Sequence, residues 1–358
     1  MTPSFEVALV LGFAVTVACL LGLRRLAPHW GLIDYPTERK QHRKETPLIG
    51  GVAIFAGLVA SLMWWLPLIP LINSFLVACG VLVFVGLIDD IYDVSVRVRL
   101  LGQTIAASVV VISGDIYLLS LGNLFGIGEV TLGILAWPVT LLALVGVTNA
   151  FNMLDGIDGL LGMSSLTAAG AFLIVSAVAG NPLLMFIAAT LLCILIPYLI
   201  LNLLPENNHY KVFMGDAGSL LMGFIFAWLM IVGSQDHLTS APVMDPVTGL
   251  FLLALPLVDL VTVLLRRIKQ RRNPFMADRQ HIHHLFGKAG YSTQQALVRL
   301  TLIMWAFAGV GVTLQCLQLS ESFRLMVFAL LTLGYMALTK RLKNIMARRM
   351  KKTIEGQG

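Results

Sequence analysis

The sequence predicts an all-α, polytopic integral membrane protein, and three observations carry that expectation. Apolar residues make up 58% of the chain and charged residues only 12%, against about half and a quarter in soluble domains. Mean hydropathy is +0.86. Nearly uncharged apolar stretches close to the ~20 residues that cross a bilayer recur from end to end, which a single large soluble core would not require.

In chain order the apolar runs fall at 5–25, 48–66, 71–88, 100–114, 131–150, 159–179, 183–204, 217–233, 247–265, 297–317 and 323–339, giving about 11 expected transmembrane helices. The first run ends at Arg24-Arg25, with its basic flank after the apolar core and no small-residue cleavage site, so it reads as a retained span and not a signal peptide. The run 100–114 is short, which calls for tilt or partial burial. Asp259, after Pro256 in the ninth run, marks a candidate broken helix. Cys19, Cys79, Cys193 and Cys316 lie singly inside apolar runs and read as packing residues, since disulfides and zinc sites need clustering. The chain is expected to form a single transmembrane domain, 1–358, containing a cytoplasmic His/Arg loop at 266–296 and a basic cytoplasmic tail at 340–358.

Orientation follows from Lys and Arg. Alternate connections gather Arg24, Arg25, Arg39, Lys40, Arg43, Lys44, Arg97, Arg99, Lys211, the basic residues from Arg266 to Arg299 and the tail on one side, and leave only Arg324 on the other. The positive-inside rule makes the first side cytoplasmic, with the N-terminus periplasmic and the C-terminus inside. The net charge of +6 then describes a membrane face and not a nucleic-acid surface. Asp236, His237 and Asp245, in an outer connection, read as solvated.

Four polar clusters sit at or beside ends of apolar runs, all on the cytoplasmic side. Asp89, Asp90 and Asp93 form a D-D-x-x-D pattern, where adjacent like charges imply an intervening divalent cation or a shared proton; the bland alternative is a solvated loop offset by Arg97 and Arg99. Asn149, Asn152 and Asp155 are spaced by three and would share a helix face, with Asp158 continuing the line. Gly215-Asp216-Ala-Gly-Ser219 opens a helix, where free N–H groups attract anions; Asp216 reads as a metal ligand or as a plain N-cap. His281, His283 and His284 lie among Arg271, Arg272, Arg279 and Lys288 without Cys, which favours an anion or sugar-phosphate grip over zinc. An oxygen-only, carboxylate-rich set suits magnesium bound together with a diphosphate.

Asp89 to Asp93, Asn149 to Leu160, Val212 to Ser219 and Asp278 to Leu285 resemble the motifs of the polyprenyl-phosphate N-acetylhexosamine-1-phosphate transferases, in that family's order and over nearly the whole chain. The His-Ile-His-His form is similar to the bacterial branch that uses N-acetylglucosamine; the muramoyl-pentapeptide branch carries a run of His followed by an acid, where this chain has Leu285-Phe286-Gly287. The resemblance implies transfer of N-acetylglucosamine-1-phosphate from UDP-N-acetylglucosamine to undecaprenyl phosphate with release of UMP, starting a lipid-linked cell-surface glycan at a bacterial inner membrane. UDP-MurNAc-pentapeptide is the alternative donor. It further implies Mg2+, with Mn2+ in its place, and a homodimer.

Residue by residue, it implies Asp216 and Asp90 as metal ligands, and Asp89 and Asp90 at the lipid phosphate with one as base. Asn152, Asp155 and Asp158 would shape the nucleotide and metal pocket, with Asp155 and Asp158 counted among the catalytic acids. Arg279, His281, His283 and His284 would grip the sugar-phosphate. Lys44 and Thr46 would lie on the nucleotide side, and Asp93, Asn149 and Asn202 among the substrate contacts. Asn202-Leu-Leu-Pro205 departs from the pattern, because Glu206 to Lys211 lengthen the gap to the Val212 motif. A secondary transporter is the rival from another class; it would need repeat symmetry and mid-span acids, and no internal repeat stands out.

Overall fold

The computed structural model describes residues 4–35, 45–67, 69–235, 242–271 and 281–355. Its helices are α1 (Phe5–Leu26), α2 (Gly50–Trp65), α3 (Pro70–Tyr92), α4 (Val96–Gly114), α5 (Ala136–Leu154), α6 (Leu160–Val178), α7 (Pro182–Asn202), α8 (Gly215–Ser234), α9 (Pro246–Leu252), α10 (Ala254–Lys269), α11 (Ile282–Lys288), α12 (Thr293–Cys316) and α13 (Glu321–Glu355). Each of the eleven expected runs is helical. Among the described residues nine helices are long and apolar enough to cross a membrane, ten if α9 and α10 count as one span. The run at 48–66 departs from expectation because α2 has only 16 residues, or about 24 Å of helix against a hydrocarbon core of about 30 Å.

The central post is α8. Every residue from Ala217 to Ser234 is buried, and a helix apolar all round is stable only when neighbours surround it. Helices α2, α3 and α5 pack on it. Phe226 stacks with Phe151 of α5 and Phe172 of α6, and Trp228 lies 4.3 Å from Phe75 of α3, centroid to centroid.

Helix α9 meets α10 at 89°, at the break foreseen near Asp259. Pro256 explains where it falls. Proline lacks an N–H and its ring crowds the carbonyl four residues back, which is Leu252, the last residue of α9. Asp245, expected to be solvated, instead receives an ion pair of 2.5 Å from the buried Arg324 of α13. Arg324 also donates to Thr248 Oγ1 at 2.9 Å and to Gln315, so the start of α9 is fastened to α12 and α13. The reason is desolvation: a buried guanidinium must pair. Asp236 and His237 lie outside the described residues.

One further difference is small. The all-α expectation misses a two-residue antiparallel pair, β1 (Ile33–Asp34) with β2 (Thr46–Pro47). Helix α13 runs unbroken from the last apolar run through the basic stretch to Glu355.

Helix α2 enters beside α8 through backbone bonds, Gly50 N to Phe213 O at 2.9 Å and Gly51 N to Met214 O at 3.0 Å. A Cβ on Gly51 would stand 2.2 Å from the Gly218 nitrogen. Gly51→Val is therefore expected to destabilise by at least about 1–3 kcal/mol, measured as a lower melting temperature in detergent. Gly146→Ala, with nothing within 4 Å of the added carbon, should leave the melt unchanged or raised. Equal melts for Gly51→Val and the wild type would show that these helices do not meet here.

Candidate active site

The polar clusters converge because the helices that carry them end or begin at one end of the bundle. Asp90, in the last turn of α3, reaches the start of α8: its Oδ1 accepts from Asp216 N at 2.7 Å and its Oδ2 from Ala217 N at 3.2 Å. It thereby satisfies N–H groups that a helix N-terminus leaves without intrahelical partners. The residue at the cap position itself, Met214, makes no side-chain bond, so the plain capping role considered for Asp216 belongs to Asp90. Gly215 permits this. Its φ is +71°, and a Cβ there would lie 2.5 Å from Asp90 Oδ2.

Asp216 projects beside this contact and accepts from Asn152 Nδ2 at 2.5 Å; the same nitrogen donates to Ser219 Oγ at 2.8 Å. Asn149 does not join them. It pairs with the buried Gln103 of α4, donating to Gln103 Oε1 at 2.5 Å. Steps of three residues advance 300° around a helix, so each falls 60° short of a full turn and neighbouring positions drift apart. Asp155 leaves the line as well, because it follows the last helical residue with ψ 61°.

The other acids divide by partner. Asp89 is buried and takes an ion pair from Arg99 at 3.0 Å and a bond from Val94 N at 2.9 Å, so the offsetting role considered for Arg99 holds at this position. Asp93 is an exposed left-handed residue, φ 49°, ending α3. Asp158 pairs with Lys211 at 2.8 Å. Lys211 is itself buried and donates to Asn202 O and Leu204 O, each at 2.8 Å, which engages all three ammonium donors. Asn202 acts behind the site: its Oδ1 accepts from Gly159 N at 2.7 Å and its Nδ2 donates to Val212 O at 2.9 Å. Asp155 is exposed to solvent. Desolvation first, then Asp216, Asp158 and Asp34, push its carboxyl up to about 7.

His281, His283 and His284 form a stack, with 6.1 Å between the first two ring centroids and 4.2 Å between the last two. The stack docks on the Asp155 loop: His283 Nε2 would lie 2.0 Å from a Cβ on Gly156. His281 Nδ1 lies 2.8 Å from Asp259 Oδ2. Thr46 lines a cleft of about 410 Å³ with Arg24, Arg25, His209 and Lys211. Lys44 and Arg279 lie outside the described residues.

The donor set fits a hard divalent cation. Asp90, Asp155 and Asp216 lie within reach of one another's charge, yet no salt bridge among the described residues reaches any of them. No group of three or more His, Cys, Asp or Glu converges as a closed cage among the described residues. Magnesium needs no such cage when substrate phosphates complete its shell. Sequence reasoning missed Gln103, and it passed over Lys211 and Tyr335, which donates to Asp259 Oδ1 at 2.8 Å. A lone polar side chain inside an apolar run, as Gln103 and Tyr335 are, was the available signal.

Carboxylates that no salt bridge among the described residues reaches, at the end of a membrane helix bundle and beside an imidazole cluster, define a membrane enzyme that handles anions. The chain belongs to glycosyl transferase family 4, whose family model matches residues 72–234. It is 40% identical over 300 residues, 84% of this chain and 81% of the relative, to the undecaprenyl-phosphate alpha-N-acetylglucosaminyl 1-phosphate transferase of Yersinia pestis. It is 40% identical over 320 residues to the enzyme of that name from Salmonella typhi, covering 89% of this chain and 86% of the relative. The Haemophilus influenzae enzyme of the same name is 36% identical over 299 residues, 82% of each chain. This membership sets the transporter reading aside.

Burial, and then the neighbouring His284, hold the His283 imidazole down at about 3 from its ordinary 6.5. An unfolded chain binds a proton at this ring near 6.5 and the folded chain does not. The stability tied to it is complete above about 6.5 and lost as pH falls towards about 3. Melting temperature in detergent should fall across that window, and His283→Asn should flatten the dependence. Parallel curves for the two proteins would contradict a buried neutral ring.

Proposed function

We propose that the chain transfers N-acetylglucosamine-1-phosphate from UDP-N-acetylglucosamine to undecaprenyl phosphate, releasing UMP, at the cytoplasmic face of a bacterial inner membrane. The observation that carries this is the gathering of Asp90, Asp155 and Asp216, with no salt-bridge cation among the described residues, beside the His281–His284 stack. The shared names of the curated relatives support the donor and the acceptor. Placing the site inside rests on the basic residues that surround it.

Asp216 and Asp90 would hold a magnesium or manganese ion. When bound, that ion supplies positive charge against the donor diphosphate. Asn152 fixes the Asp216 carboxylate and the α8 backbone fixes Asp90, so neither needs to reorganise during reaction. A lipid phosphate oxygen attacks the sugar-bearing phosphorus in line, a new P–O bond forms, and the bond from that phosphorus to the UMP oxygen breaks. Asp155 is the preferred acceptor for a proton carried by the lipid phosphate, because its carboxyl is accessible and titrates near neutrality. Asp89 would orient Arg99 towards the acceptor, and Asp158 with Lys211 would shape the nucleotide side. His281, His283 and His284, with Arg279, would contact the sugar-phosphate.

Purified protein in detergent, given undecaprenyl phosphate, magnesium and a panel of UDP-sugars, should release UMP with UDP-N-acetylglucosamine. A chelator should stop turnover and added magnesium or manganese restore it. Asp216→Asn should lower kcat at least about a hundredfold without loss of folded protein. Turnover only with UDP-MurNAc-pentapeptide would overturn the donor, and full turnover in chelator would overturn the metal.

A further inference from the structure

We propose that Asp259 is a positioning residue that sets the tautomer and direction of His281, with Tyr335 of α13 locking Asp259 in place. Asp259 lies on α10, three residues past the proline that ends the broken helix. It is 4% exposed, in a chain segment where a carboxylate without partners would be costly. Three donors converge on its two oxygens: His281 Nδ1 at 2.8 Å on Oδ2, and Ile282 N at 3.2 Å with Tyr335 Oη at 2.8 Å on Oδ1. An ionised carboxylate only accepts, so Nδ1 of His281 carries the hydrogen, and Nε2 becomes the nitrogen that gains or yields a proton. The peptide N–H of Ile282, the first residue of α11, binds the same carboxylate. One side chain therefore sets both the ring and the start of the helix that carries His283 and His284.

Capping α11 alone would account for the Ile282 bond. It would not account for the other oxygen being spent on the ring, or for a tyrosine arriving from the C-terminal helix. Among the described residues His281 meets Asp259 of α10 at Nδ1 and stacks on His283 of its own segment, while Tyr335 of α13 reaches the same Asp259 carboxylate. Asp259 is the acid among them. Its partnership lets the ring take up a proton at Nε2 with a counter-charge already in contact, as suits an imidazole beside developing negative charge on a donor phosphate.

The inference rests on the proposed function for its kinetic part only. The first measurement is independent of turnover: wild-type protein labelled with 15N-histidine, with His281→Gln to assign the signals. The His281 ring should appear with its hydrogen on Nδ1. Asp259→Asn turns a donor towards Nδ1, so the hydrogen should move to Nε2. In the UMP-release assay that variant should lose about tenfold to a hundredfold in kcat, with the KM for undecaprenyl phosphate unchanged. Adding His281→Gln to it should cost little more, since the two act as one unit. Tyr335→Phe should give a smaller loss of the same kind. An Nε2–H ring in the wild type would overturn the proposal, whatever the variants do. So would wild-type kcat in a folded Asp259→Asn protein, or full additivity with His281→Gln; Asp259 would then be a helix cap and nothing more. Absence of turnover by the wild type with every UDP-sugar would instead overturn the proposed function, leaving the tautomer result standing.

Discussion

The contact on which the site depends is the carboxylate of Asp90 against the first N–H groups of α8. A helix that begins inside a membrane protein must satisfy those donors without water, and the local sequence offers no capping side chain at Met214. The cap is brought from α3, 126 residues away in sequence, and it fits only because Gly215 has no side chain and can hold a positive φ. Once Asp90 is fixed there, Asp216 is the next residue on the helix and stands beside a carboxylate already in place. The charge repulsion that results is a consequence of building the helix start this way. It also makes a place that suits the cation of the proposed reaction.

A second constraint comes from Pro256. By ending α9 at Leu252 it turns α10 by 89°, and the segment after the turn carries Asp259 to the His segment. The far end of the break is held by the Arg324–Asp245 ion pair and the near end by the His281–Asp259 hydrogen bond. Removing Asp245 would leave the buried Arg324 guanidinium without its carboxylate, which is strongly destabilising. Rigidity at the bend and position at the imidazoles are therefore parts of one device.

Much of the architecture was legible in the sequence because the bilayer punishes ambiguity. Apolar runs must be helical there, and all eleven are. Charged clusters cannot sit in hydrocarbon, so their appearance at the ends of runs marked the site before any contact was known. What the sequence did not disclose was direction. Asn149 and Asn152 look alike in spacing, yet one faces α4 and the other α8. Asp89 and Asp90 are adjacent, and successive residues on a helix point 100° apart, so one meets Arg99 and the other the start of α8. Isolated residues such as Gln103 and Tyr335 form no pattern with their neighbours in sequence, and their partners lie 46 and 76 residues away.

Direction also decides what each carboxylate can do. Those already paired with a lysine or an arginine, Asp158 and Asp89, have their charge compensated and serve best as fixed walls. Asp90, bound to the backbone N–H groups of Asp216 and Ala217, is held rigidly. Asp155, past the end of α5 and exposed to solvent, has a carboxyl pushed up to about 7. These four aspartates, brought together from the end of α3 and the segment after α5, are therefore held in different ways. The separation arises from their partners and their burial, since the side chains are chemically identical. The proposed reaction, which binds two anions and takes up a proton, needs that division, and here the ends of the membrane helices supply it.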